Sequence, residues 1–188
     1  MPASFIRSMM QCFVLCVVVQ SMFASPVFAQ DLSNLPEFGM VDFFHDSARI
    51  DQKGMANRAF VAQSNNLGGA VANYAEINQD GFDNDAAITQ FGNQNESRIF
   101  QTGDSNTASV DQTGTANSLD LIQTGSLNNF YTTQTGNNNR IVFSQPGSAT
   151  ANLVQIGNNN TIHAAQAAGS TVTIRMEGNN QTASFQQN

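Results

Sequence analysis

The sequence predicts an all-β fold: a β-solenoid with two strands per rung and about six rungs, built from 11-residue half-repeats. Three observations predict it. The first is a fixed period, which decides the fold before any local signal is weighed. Gln returns every eleven residues at Gln90, Gln101, Gln112, Gln123, Gln134 and Gln145, with Gly two places later at Gly92, Gly103, Gly114, Gly125, Gly136 and Gly147. Asn follows five places after the Gln, at Asn95, Asn106, Asn117, Asn128 and Asn139. The second is strict alternation inside each unit, N-x-A-x-[VIL]-x-Q, which sets Asn, Ala, Ile or Val and Gln on one face of a strand. The third is charge register. Glu76, Arg98 and Asp120 stand 22 residues apart, as do Phe100 and Ile122, and Arg58 comes level with Asp85 once a five-residue insertion is counted. Opposite charges at that spacing favour two strands per rung over an antiparallel meander.

The units run from Asp46 to Gln187 and number thirteen. The first are Asp46–Gln52 and Asn57–Gln63, and a longer loop over 64–72 precedes Asn73–Gln79. Regular units then follow from Asn84 to Gln145. The unit ending at Gln155 is one residue short. Asn160–Gln166 is regular, and the last two are degenerate, with Met176 for Gln, Gln181 for Asn and Ala168 for Gly. Both single-residue deletions fall in turns. One unit buries two modest apolar side chains, such as Ala108 and Val110. At about 25 cal/mol per Å² these do not offset the ordering entropy of a whole unit, so the unit is stable only when stacked on copies of itself. Its inward amides carry the same requirement, because a buried amide is costly unless bonded, and an identical amide one rung away satisfies it. Gly sits in the turn, where positive φ is easiest.

Composition narrows the function. The 188 residues hold 7 basic and 14 acidic side chains, a net charge of −7, with a single Lys at Lys53 and no Trp. The acidic balance and the absence of a basic patch argue against nucleic acid as a partner. Residues 1–29 read as a secretory signal peptide, with Arg7, an apolar Cys12–Phe23 and the small-residue pattern Val27-Phe28-Ala29. That apolar run is too short for a membrane span, and no transmembrane segment is expected. Both cysteines, Cys12 and Cys16, leave with it, so the remaining chain has no disulfide despite an oxidising destination. Residues 30–45 do not repeat; they read as a leader, or as a segment recognised by an export machine or packed as a cap, and 46–188 as the solenoid.

The unit Gln101-Thr-Gly103-Asp-Ser-Asn106-Thr-Ala108-Ser-Val110-Asp-Gln112 resembles the repeat of curlins, the subunits of bacterial curli amyloid fibres. The resemblance covers about residues 46–187, with more strands than is usual and a longer loop at 64–72. It implies a subunit secreted through an outer-membrane export channel and polymerised outside the cell, after a nucleator subunit, into homopolymeric fibres. Such fibres mediate adhesion to host or abiotic surfaces and form biofilm matrix. It also implies that the inward Gln and Asn above are the self-assembly residues, and leaves open whether this chain is the major subunit or the nucleator.

Two other classes are weighed against it. An enzyme would want clustered carboxylates, and the acids here are scattered. His45 and His163 are isolated, so no metal, cofactor or catalytic residue is expected. A monomeric secreted adhesin would want a regular outward array, and Arg58, Thr107 and Asn129 at equivalent places do not supply one.

Overall fold

The computed structural model describes residues 46–64 and 72–187. The expected signal peptide, the 30–45 segment and most of the 64–72 loop lie outside the described residues.

Each alternating run forms a strand. In chain order these are β1 (Ser47–Met55), β2 (Arg58–Ser64), β3 (Tyr74–Phe82), β4 (Asp85–Asn93), β5 (Glu96–Asp104), β6 (Thr107–Thr115) and β7 (Ser118–Thr124). They continue as β8 (Asn129–Asn137), β9 (Arg140–Gln145), β10 (Thr150–Asn158), β11 (Thr161–Ala165), β12 (Thr171–Glu177) and β13 (Thr182–Gln186). The odd-numbered strands form one seven-stranded sheet and the even-numbered strands a six-stranded one. Every pairing is parallel. Alternate strands of one chain can pair in parallel only if the chain circles a common axis, so the fold is a two-strand-per-rung β-solenoid.

The register is the predicted one. From β3 to β9 partners are 22 residues apart, as in Ile77↔Ile99 and Gln112↔Gln134. Across the 64–72 insertion the offset is 27, as in Ile50↔Ile77, and beyond the shortened turn after Gln145 it is 21, as in Gln134↔Gln155. Insertions and deletions are thus taken up in turns, and the columns survive. They must, because a one-residue slip would move every inward side chain to the outside.

The core is one file of side chains between the sheets. Ile77, Ile88, Ile99, Val110, Leu121, Phe143 and Leu153 occupy the [VIL] position and are at most 1% exposed. Phe130 replaces the usual Ala and meets Phe143 with ring centroids 5.3 Å apart. At the C-terminal end Val172, Ile174, Ala183 and Phe185 are only partly buried and line an open cleft.

Candidate assembly site: the amide ladders and the open ends

All eleven ladder residues, from Gln90 to Gln145, point inward, and none is more than 1% exposed. The glutamines form two continuous files, one per sheet. In the odd sheet each Nε2 donates to the next Oε1: Gln52 to Gln79 at 2.6 Å, then Gln79 to Gln101, Gln101 to Gln123 and Gln123 to Gln145 at 2.8 Å each. The even sheet repeats this from Gln63 through Gln90, Gln112 and Gln134 to Gln155, at 2.8–2.9 Å. The second Nε2 hydrogen goes to the carbonyl of the first residue of the preceding strand, as from Gln101 to Asp85 at 3.1 Å and Gln123 to Thr107 at 3.0 Å. Each Gln therefore ties its own sheet vertically and the two sheets across the core. An amide has two donor hydrogens and two acceptor positions, and this geometry uses both donors.

The asparagines form a second pair of files with the opposite polarity. Asn106 Nδ2 donates back to Asn84 Oδ1 at 3.0 Å, Asn128 to Asn106 at 2.9 Å, Asn117 to Asn95 at 3.1 Å and Asn139 to Asn117 at 3.0 Å. Their other hydrogen reaches forward to a turn glycine carbonyl of the next rung, as from Asn95 to Gly114 at 3.0 Å and Asn117 to Gly136 at 2.9 Å. Gln donors point toward the C-terminal end and Asn–Asn donors toward the N-terminal end, so the two sets of amide dipoles oppose each other.

Asn128 departs from the pattern where the turn loses a residue. Its Nδ2 bonds Thr124 O at 2.9 Å, and its Oδ1 accepts from the backbone of Gly147 and Ala149.

The turn glycines have a stricter reason than easy φ. Gly92, Gly103, Gly114 and Gly136 have φ of 111–122°, and a Cβ on any of them would lie 2.0–2.1 Å from the glycine carbonyl oxygen of the next rung. Stacking leaves no room for a side chain. Gly147 lies in the shortened turn and Gly125 in the turn next to it in the stack, and they are not so confined; the nearest atom to a Cβ on Gly147 is 3.8 Å away.

Sequence reasoning missed two features. One is a second left-handed residue in each turn, two places after the Gly and one before the Asn. Asp83, Gln94, Ser105, Ala116, Leu127 and Asn138 all have φ of 55–62°. Their identities share nothing, so the sequence carries no signal. What holds them is a backbone bond to the rung below, such as Ser105 N to Phe82 O at 2.8 Å and Ala116 N to Asn93 O at 3.0 Å. Each such residue costs about 1 kcal/mol, which the stack offsets. The other is Ser97, which replaces an inward Ala and donates to Gln112 Oε1 at 2.8 Å.

On the outside, the expected charge column exists. Arg98 lies 3.8 Å from Glu76 and 3.5 Å from Asp120, and the column extends to Arg49, 3.6 Å from Glu76; Arg140, two places before Val142 in that register, reaches Asp120 diagonally at 3.6 Å. Arg98 also pairs with Glu96 and sits 5.6 Å from the centroid of the Tyr74 ring. Burial, and then a hydrogen bond to Glu76, raise the Tyr74 pKa above its ordinary value. Arg58 pairs with Asp85 as anticipated, and Lys53 with Asp80 at 3.1 Å. His163 is exposed on β11, in register with Val142 and Ser184.

The two ends of the stack are chemically unlike. At the N-terminal end no described residue donates to Oε1 of Gln52 or Gln63. At the C-terminal end Gln155 Nε2 reaches Met176 Sδ at 3.9 Å, so the even-sheet Gln file stops at Met176.

No curated protein and no solved structure matches the chain. The family model of the curlin associated repeat matches twice, over residues 71–99 and 81–114. Those residues carry β3 to β6 and four of the glutamines described above, in the register that the rest of the stack continues. Over residues 71–114 the chain carries the curlin associated repeat.

Proposed function

We propose that this protein is a secreted structural subunit of curli-like amyloid fibres, which grow by templated self-polymerisation and serve cell adhesion and biofilm matrix. The observation that carries the reading is the state of the ends. Both sheets stop with strand edges that have a neighbour on one side only among the described residues, at β1 and β2 on one end and β12 and β13 on the other. Edges of this kind are templates for another chain unless they are blocked. The Gln files stop there too, with acceptors facing out at Gln52 and Gln63. A second copy supplies the missing strand on each edge and a Gln donor for one of the two open acceptors, in the geometry already used at the internal rungs. Support also comes from the family, which is one of structural fibre subunits of the cell exterior rather than enzymes. The partners this reading implies are further copies of the chain, a nucleator subunit, an outer-membrane export channel, and the surface to which the fibre adheres.

The test compares the protein with a Gln101→Ala, Gln123→Ala, Asn139→Ala variant in the presence of an amyloid dye. The parent chain should form dye-binding fibres with a reflection near about 4.7 Å, while the variant lags or fails. Persistent monomer at high concentration, read by sedimentation, refutes the fibre reading and favours a monomeric adhesin. Equal fibre growth in both removes the amide ladders from the mechanism.

A further inference from the structure

We infer that successive copies of this chain stack with a half-turn about the fibre axis, so that β1 of the next copy lies on β12 and its β2 lies on β13. The inference rests on the fibre reading above and adds the geometry of the junction.

The first argument is the strand count. Thirteen strands place seven in the odd sheet and six in the even sheet. Above the C-terminal end the next vacant place is therefore in the even sheet, on β12. If a copy kept the same orientation, its β1 would sit on β13, and one strand's width of the even sheet would stay empty between β12 and its β2. Val172 and Ile174, which the chain leaves partly exposed, would stay uncovered. A half-turn closes this gap. The two strands of a rung run in opposite directions, so rotation by half a turn exchanges the sheets and keeps every pairing parallel.

The second argument is independent, and it is charge complementarity. Extending the register of the columns sets Val172 on Ala48, Ile174 on Ile50, Arg175 on Asp51 and Glu177 on Lys53, the one lysine in the chain. In the other sheet Ala183 meets Ala59, Phe185 meets Val61 and Gln187 meets Gln63. Both charges of β12 thus face an opposite charge, and Gln187 faces the open Oε1 of Gln63. The same rule governs the interior, where Arg49, Glu76, Arg98 and Asp120 alternate in sign along one column. Unrotated stacking sets Arg49 on Ser184 and Asp51 on Gln186 and pairs no charges. One imperfection remains in the half-turn junction: Met176 faces Gln52 and brings no donor to its Oε1.

The deciding experiment is helical reconstruction, by electron cryomicroscopy, of fibres grown from residues 30–188, the chain without its expected signal peptide. The half-turn predicts a rotation of half a turn per subunit, added to the twist of the sheets. Its rise is six and a half strand spacings, about 31 Å at about 4.8 Å each. Unrotated subunits with a rise of about 34 Å overturn it, whether the even-sheet place is empty or filled by residues 30–45. Fibres of that kind leave the fibre reading standing, whereas no fibres at all overturns both.

A charge exchange supplies a second readout. Arg175→Asp should slow seeded elongation roughly threefold or more, and adding Asp51→Arg should restore it. Asp51 stacks on the neutral Asn78 inside the chain, so the exchange leaves the interior columns intact. Elongation indifferent to Arg175→Asp overturns the proposal.

Discussion

Val110 and Ile174 hold the same position of the repeat in the same sheet, yet Val110 is wholly buried and Ile174 remains partly exposed. The same contrast holds between Ala108 and Val172, and between Gln112, whose amide file continues on both sides, and Met176, where that file ends. The backbone differs little between the two places. What differs is the number of neighbours. A middle strand is covered above and below, while β12 is covered below only. Burial in this molecule is therefore a property of the stack rather than of the residue, and the end differs from the middle by one absent neighbour. That is what makes the end a place where a second chain fits.

The strongest way to break this comparison is to make one substitution in both regions. Gly114→Ala sets a Cβ 2.0 Å from Gly136 O, whereas Gly178→Ala meets only the flexible end of Gln181, with its Nε2 3.3 Å away. Both glycines have positive φ, 122° and 115°, so both substitutions carry the conformational cost. Gly178→Ala should cost about 1–3 kcal/mol on that account alone, and Gly114→Ala about 4 kcal/mol or more, because the rungs must also separate. Chemical denaturation of the monomer followed by circular dichroism measures both. Equal losses would mean that conformation alone, and not stacking, selects glycine.

Next in size is the amide file. Gln112 donates to Gln134 Oε1 and Glu96 O and accepts from Gln90 and Ser97. Gln112→Ala strands all four partners in a buried site, so a loss of about 3 kcal/mol is expected. Met176→Gln at the end should change the stability of the monomer by about 1 kcal/mol or less, since it exchanges one weak contact for one hydrogen bond. The same denaturation experiment separates them. If Gln112→Ala is as mild as the change at Met176, the ladder does not hold the middle together.

Thr132 sharpens the comparison in the opposite sense. It stands in the apolar file between Val110 and Leu153, and its buried hydroxyl has no hydrogen-bond partner. Thr132→Val should stabilise the protein by about 1 kcal/mol, because an unpaired buried hydroxyl is replaced by a methyl group. Ile174→Thr, at the same position of the open end, should cost about 1 kcal/mol or less in the monomer and more in the fibre, where the neighbour closes off water. A thermal melt of each variant gives the sign directly.

How much of this was legible in the sequence follows from the same physics. The columns, the rung size, the inward amides and the pairs Arg58–Asp85 and Glu76–Arg98–Asp120 were all readable, because stacking repeats a chemical requirement at a fixed spacing. The left-handed residues were not. Ala116 and Leu127 adopt φ of 57° and 62° because a bond from the rung below fixes them there, and no residue preference announces that. The direction of each ladder was hidden as well, since Gln and Asn carry the same amide and only the lengths of their side chains set which end faces the next rung. The tight approach that excludes a Cβ at Gly114 read simply as a turn glycine, because a turn and a stacked turn ask for the same residue.

The smallest effect belongs to the surface. Arg98, with acids on both sides of its column and Glu96 on its own strand, is the best-paired cation described, whereas Arg175 at the end pairs with Glu177 on its own strand. Both are well exposed, so screening keeps their contributions small. Arg98→Met should cost about 0.5–1 kcal/mol at low salt and nearly nothing in molar salt, and Arg175→Met should cost almost nothing in the monomer at either salt. Denaturation at two ionic strengths makes the measurement. A salt-insensitive loss at Arg98 would trace to packing of its side chain, whose guanidinium lies over the Tyr74 ring, rather than to its ion pairs, and the outward columns would then guide register through packing alone.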